Sequence, residues 1–235
     1  MSGCCASVYS TGIMPSGDPL SHPGGSALTR RALEIACLPA GAGVLDIGCG
    51  SGESMRLLAS LGYRPLGVDP AANGCLDFPH IRAEAEALPL PSASFEAVLL
   101  ECSLSIMRTP RQAIRECARV LVPGGRLIVA DLYARAPEAI RQVRALAHSC
   151  VAGMVVDEEL ELLLRDAGFR VDLWEDHSPA LRTFVASYLM RGGTHDELWG
   201  CSGGSAEVIA QAMRSVRAGY FLLLATREPQ SGGKQ

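Results

Sequence analysis

The sequence predicts a doubly wound α/β fold, a mostly parallel sheet with helices on both faces, and three observations carry that prediction. A glycine-rich turn, "DIGCGSGES" at 46–54, separates a short apolar run from an amphipathic one. Beyond it, short apolar strands alternate with helix-period segments, the pattern of right-handed β-α-β crossovers. The chain then closes on one more apolar strand, "GYFLLLATRE" at 219–228, after a forty-residue detour.

Length and composition set the frame. A chain of 235 residues, 48% hydrophobic, can bury a sizeable core within one large domain. The formal charge of −4, from 25 acids against 21 bases, argues against a nucleic-acid or anionic-membrane surface, because both need clustered positive charge. All but one of the bases are arginine, the exception being Lys234. "MSGCCASVYSTG" at the start has no basic or apolar stretch of a secretory signal, and "FLLLA" at 221–225 is far too short to span a bilayer, so a soluble, cytoplasmic protein is expected. Nine cysteines are scattered without a C-x-x-C pair, which indicates neither a disulfide scaffold nor a zinc ribbon, and no metal is expected.

The elements follow in order. Residues 1–27, rich in Gly, Ser and Pro with an adjacent Cys4 and Cys5, read as a mobile arm or a segment that orders over a ligand, and residues 28–235 as the folded domain. Ala27 to Cys37 has helical apolar spacing. "VLDIGCGSGESMRLLASLGY" is a strand, a glycine turn and a helix ended by Gly62, and "RPLGVDP" a second strand closed by Asp69 and Pro70. "FEAVLLE" at 95–101 reads as a buried strand, "PRQAIRECARVL" at 110–121 as a helix, and "GGRLIVADLY" at 124–133 as the next strand. "DEELELLLRDAGF" is a helix and "RVDLWEDH" a strand. About 178–218 should hold two helices around a Gly/Ser/Trp loop, an inserted helical lid, because the detour exceeds what a simple connection needs.

The glycine turn follows a strand and opens a helix, where backbone can approach a ligand and helix amides point at it. Its spacing is Gly48, Gly50, Gly52; the dinucleotide fingerprint would need glycine at 53, which is Glu53. An acid at the helix start also opposes a pyrophosphate, so a nicotinamide or flavin is the weaker reading.

"VLDIGCGSG", Asp69 at the end of the second strand, "AEAEALPLPSASFEAVLLE" and "ARVLVPGGRLIVADL" occur together and in this order over about residues 28–175. In this the chain resembles the class I S-adenosylmethionine-dependent methyltransferases, especially the type 11 branch that includes quinone C-methyltransferases. The resemblance implies a Rossmann-like, seven-stranded sheet whose last strand is antiparallel, and S-adenosylmethionine as cofactor with S-adenosylhomocysteine as product. It implies that Gly48, Cys49 and Gly50 wrap the methionine end of the cofactor, that Asp46 and Gly52 also belong to the cofactor site, and that Asp69 accepts the ribose hydroxyls. Pro70 would pack on the adenine, Glu84 and Ala85 would read its amino group, and Glu101 would lie at the cofactor edge.

Methyl transfer is an in-line displacement that needs a lone pair roughly 3 to 3.5 Å from the methyl and little water. The residues after the fourth strand, Glu101, Cys102 and Ser103, would stand beside it. A narrower resemblance, carried by "ECSLSIMRTPRQAIRECARVLVPGGRLIVADLYAR" and "HSCVAGMVVDEELELLLRDAGF", is to arsenite methyltransferases, and it maps their cysteines onto Cys102 and Cys150. Soft thiolates suit a thiophilic metalloid. Met55 stands where that family has a further cysteine and Glu101 where it has asparagine; Cys4, Cys5 or Cys201 could supply a third thiol. His148 and His177 are candidate bases, and His195, Trp199 and Cys201 fall in the expected lid. The expected partner is therefore a small-molecule acceptor, soft and thiophilic or else a quinone-like carbon or oxygen nucleophile. A module that binds the cofactor without transferring its methyl stays open.

Overall fold

A computed structural model describes residues 22–71, 77–144, 151–194, 198 and 206–229. Seven strands form one sheet: β1 (Gly43–Ile47), β2 (Arg64–Val68), β3 (His80–Ile81), β4 (Phe95–Glu101), β5 (Leu121–Tyr133), β6 (Phe169–Asp176) and β7 (Gly219–Arg227). Their order is β3-β2-β1-β4-β5-β7-β6. β1, β2, β3, β4 and β5 pair in parallel, and β7 runs antiparallel to both β5 and β6. The expected fold class is thus observed, with the last strand reversed. β3, two residues long, is the strand that no apolar run announced.

The helices are α1 (Gly25–Ala36), α2 (Glu53–Ser60), α3 (Pro110–Val120), α4 (Ile140–Arg144), α5 (Asp157–Asp166), α6 (Ser178–Met190) and α7 (Ala206–Ser215). α1 starts at Gly25, inside the stretch read as a mobile arm, and ends where Cys37 takes a left-handed conformation. None of these helices is long and apolar enough to cross a membrane.

Two hydrophobic clusters cover the two sheet faces, which is why β1 is buried at every position and shows no alternation. On one side Val44, Ala97, Leu99 and Ile128 meet Leu28, Ala32 and Leu33 of α1, together with Leu181 and Phe184 of α6. On the other, Leu45, Val98, Leu100 and Val129 meet Ile114 and Cys117 of α3 and Leu160 and Leu164 of α5. α6 and α7 occupy the connection between β6 and β7 that was expected to be a lid, and through Leu181, Phe184 and Ala212 they contribute to the first cluster, as does Val216 just after α7. The sheet order reverses at β1, between β2 and β4, so the carboxyl ends of β1 and β4 border the crevice where open α/β sheets bind ligands.

Candidate active site

Gly48, Gly50 and Gly52 carry the chain from β1 into α2 with φ of 81°, 48° and 79°, a conformation that side chains disfavour. Gly48 N donates to Val68 O at 2.7 Å, locking the turn to the end of β2. A β-carbon on Gly48 would stand 2.6 Å from Cβ of Ser103, so the glycine lets the segment after β4 close on the turn. Gly67, a strand glycine the sequence reading passed over, plays the same part from β2: a β-carbon there would lie 2.7 Å from both Cys49 Sγ and Met55 Sδ.

Acids line this crevice. Asp69 accepts Gly50 N on one carboxylate oxygen at 3.1 Å and Ala71 N on the other at 2.7 Å, leaving a lone pair on each. Asp46 is buried at the end of β1, and its Oδ2 has no hydrogen-bond partner among the described residues. Burial first, then the charges of Glu101 and Asp69, push its carboxyl well above the ordinary aspartate range. Glu101, at the end of β4, accepts Thr29 Oγ1 at 2.7 Å and Ser54 Oγ at 2.5 Å, and His22 Nε2 lies 3.6 Å from it. The residues from α1, α2, β1, β2 and β4 thus converge, although His22, Thr29 and Ser54 are far from Glu101 in sequence. Ser54 sits two residues past Gly52, the last glycine of the turn, and is the single local hint among the three.

The remaining expected site residues fall as follows. Cys49 is buried inside the turn and its thiol is pushed up to about 12, chiefly by burial and then by Asp46, so it is present as the thiol. Pro70 is exposed and its carbonyl accepts Arg82 Nε at 3.0 Å. Glu84 is exposed and pairs with Arg108 at 3.2 Å, and Ala85 is buried beside it. Cys102 has a φ of 50°, a strained backbone for a side-chain-bearing residue, and is half-buried. Its Sγ lies 3.2 Å from the hydroxyl of Tyr220, which donates to the Ala130 carbonyl at 3.1 Å. With that one phenolic hydrogen committed, the thiol is the donor of the pair.

Asp131, the charged residue inside the apolar run of β5, is fully buried and accepts Ser105 N at 2.9 Å and Leu132 N at 2.7 Å, which pins the turn of Leu104–Ile106 after β4. An acid in such a run was a visible signal. His177 binds Glu175 at 2.9 Å, and Arg31 of α1 grips the same carboxylate at 3.0 and 2.5 Å; this holds α1 against β6 on the exposed side. Cys150, His148, His195, Trp199, Cys201, Cys4 and Cys5 lie outside the described residues. Three residues beyond Cys150, Gly153 rests against the backbone of Ser105, where a β-carbon would come within 1.7 Å of the carbonyl oxygen.

Residues 45–129 match the family model described as a methyltransferase domain. O-methyltransferase resE of Aspergillus sclerotiorum is 30% identical over 232 residues, covering 91% of this chain and 86% of that protein. The arsenite methyltransferase of Aquipseudomonas alcaligenes is 31% identical over 169 residues, 62% of this chain and 47% of that protein. Among solved structures, the [4+2]-cyclase SpnF superposes with a TM-score of 0.71 at 25% identity, covering 94% of this chain and 93% of that one. The sheet order, the glycine turn and a relative of near full length agree, and the chain belongs to the class I methyltransferase family.

Proposed function

We propose that the protein binds S-adenosylmethionine at the carboxyl ends of β1, β2 and β4 and transfers its methyl to a carbon or oxygen nucleophile of a small molecule. The observation that carries the reading is the set of acids around a glycine cradle: Asp46 with an unpartnered oxygen, Asp69 with free lone pairs, and Glu101. Such a set suits a ligand bearing hydroxyl donors and positive charge, and it repels a pyrophosphate. When bound, S-adenosylmethionine supplies an electrophilic methyl on a sulfonium and leaves as S-adenosylhomocysteine. In this reading Asp69 takes the ribose hydroxyls, Asp46 and the Gly48–Gly52 turn take the methionine end, and Pro70, Glu84 and Ala85 border the adenine.

A carbon or oxygen acceptor is favoured because the Cys102 thiol is already spent on Tyr220. The similarity to O-methyltransferase resE, which covers most of both chains, points the same way. The second reading, a soft metalloid or thiol acceptor held by Cys102 and Cys150, draws on the close seat of Gly153 against Ser105, which brings the chain just after Cys150 next to the turn that follows Cys102.

Calorimetry with S-adenosylmethionine, followed by measurement of S-adenosylhomocysteine formed with phenolic, quinone-precursor and arsenite acceptors, separates the readings. Turnover of a phenol or quinone precursor that survives Cys102→Ala supports the first. Arsenite turnover lost in Cys102→Ala supports the second. Cofactor binding without product from any acceptor leaves a binding module, and no binding at all ends the proposal.

A further inference from the structure

His22, which the sequence reading did not single out, sits beside the end of β4 in a cradle of acceptors. Its Nδ1 lies 3.2 Å from the Pro23 carbonyl, a group that can only accept, so Nδ1 carries a hydrogen. Its Nε2 lies 3.2 Å from Thr29 Oγ1 and 3.6 Å from Glu101 Oε1. Both of these can accept a second ring hydrogen, so the cradle can hold an imidazolium against the Glu101 carboxylate. The His22 and Glu101 side chains are each only 7% exposed and Thr29 is buried, so a proton moving between them has little water to travel through.

Thr29 supplies the route. Its hydroxyl lies 2.7 Å from Glu101 Oε1 and has a single hydrogen to give. With Nε2 protonated, the ring donates to Thr29 and Thr29 donates to the carboxylate. With Nε2 bare and Glu101 protonated, the carboxyl donates to Thr29 and Thr29 donates to the ring. One turn of the hydroxyl, with no movement of the chain, therefore carries a proton from Glu101 to His22. Ser54 of α2 holds the other carboxylate oxygen at 2.5 Å, and each oxygen keeps a lone pair. The other groups that act on this pair are Asp46 of β1 and Asp69 after β2, two acids whose negative charge favours a cation at His22, and the neutral Tyr220 of β7.

We propose that Glu101 is the general base for methyl transfer to a hydroxyl acceptor, and that Thr29 passes the proton on to His22 Nε2. This rests on the cofactor reading above and narrows its acceptor to a molecule that gives up an O–H hydrogen. Methylation of a hydroxyl forms a carbon–oxygen bond from an oxygen lone pair, leaves the carbon–sulfur pair on sulfur and releases one proton. Glu101 takes that proton on a remaining lone pair. Thr29 then gives its own hydrogen to Nε2 as it receives the one from Glu101, which leaves an imidazolium beside a carboxylate. The positive charge lost at sulfur thus reappears on His22, and the crevice keeps its balance of charge.

Phenols graded in acidity test the relay at neutral pH, with S-adenosylhomocysteine formed as the readout. Thr29→Val should lower kcat for the least acidic phenol about a hundredfold, within the range of general-base catalysis, and move KM far less. The loss should shrink along the series, because a phenol already ionised needs no base. Thr29→Ser keeps the hydroxyl and should restore most of the rate, whereas His22→Gln keeps hydrogen bonding without taking a proton and should copy Thr29→Val. A second readout needs no turnover and no folded variant at the relay: nitrogen NMR of the histidine-labelled full chain should show the His22 ring with its hydrogen on Nδ1, with and without S-adenosylhomocysteine. A loss of equal size across the series would show a structural role only and overturn the inference. So would an unchanged kcat, a ring protonated on Nε2 alone, or a wild type that binds the cofactor and methylates no phenol. Failure of wild type to bind the cofactor would instead remove the cofactor reading itself, and the inference with it.

Discussion

Gly48 and Ser103 meet across the crevice so closely that a β-carbon on the glycine would stand 2.6 Å from the serine's own. The contact joins the turn after β1 to the segment after β4, and a φ of 81° already disfavours any side chain at that position. Gly48→Ala should therefore cost about 2 to 4 kcal/mol from strain and overpacking and should abolish measurable cofactor binding. Thermal unfolding and cofactor titration check it. Wild-type affinity in a folded Gly48→Ala protein would show that the two segments need not close on each other.

Tyr220 stands at the start of β7 and links the Cys102 thiol to the Ala130 carbonyl. Tyr220→Phe leaves both groups without that partner in a buried setting and should lower stability by about 1 to 2 kcal/mol, or about 2 to 8 °C in Tm. If Cys102 serves the fold by this bond, methyl transfer to a carbon or oxygen acceptor should persist in the folded variant at moderate temperature. An unshifted Tm would mean that the bond carries no net stabilisation.

Asp46 makes a prediction about pH with a definite sign. Its folded-state value is raised above 3.8, chiefly by burial. The stability linked to it is therefore full below that value and is lost as pH rises through the raised one. Asp46→Asn removes the charge, so it should flatten the decline and leave the variant more stable than wild type near neutrality, while weakening cofactor binding. Melting curves across the pH range, with cofactor titration at neutral pH, give both readouts. A variant that is less stable than wild type near neutrality would overturn the argument.

Glu175 has the opposite sign. The hydrogen bond from Arg31, with His177 next, holds its carboxyl down from 4.5 to about 2. Its contribution is present above the unfolded value and is lost as pH falls from 4.5 through about 2. Glu175→Gln should lower stability at neutral pH and flatten the acid limb within that window. Acid unfolding followed by circular dichroism checks it, and an acid limb identical to wild type would sink the clamp between α1 and β6. The effect should be modest, because the Arg31 side chain is half-exposed.

Some of this site was legible in the residues alone. The glycine turn and Asp69 could be placed because they are local devices: a strand end, a positive-φ turn and a helix start follow one another within about twenty residues. Gly67 and Asp131 left signals that were there to be read, a glycine inside a strand and an acid inside an apolar run. β3 was not legible, since two residues show no period. Nor does any local pattern mark the entry of Gly25 and Ser26 into α1 or the burial of His22 against the end of β4.

The amino-acid order by itself determined the alternation of strands and helices, the position of the crevice and the acids at its rim, because backbone propensity, apolar period and turn chemistry act over a few residues. Tertiary structure alone decided that residues 22, 29, 54 and 101 share one hydrogen-bond network, and that the Cys102 thiol turns to Tyr220. Those partners lie on elements brought together only when both faces of the sheet are covered, and a hydrogen bond across 72 or 118 positions leaves no periodic trace in the chain.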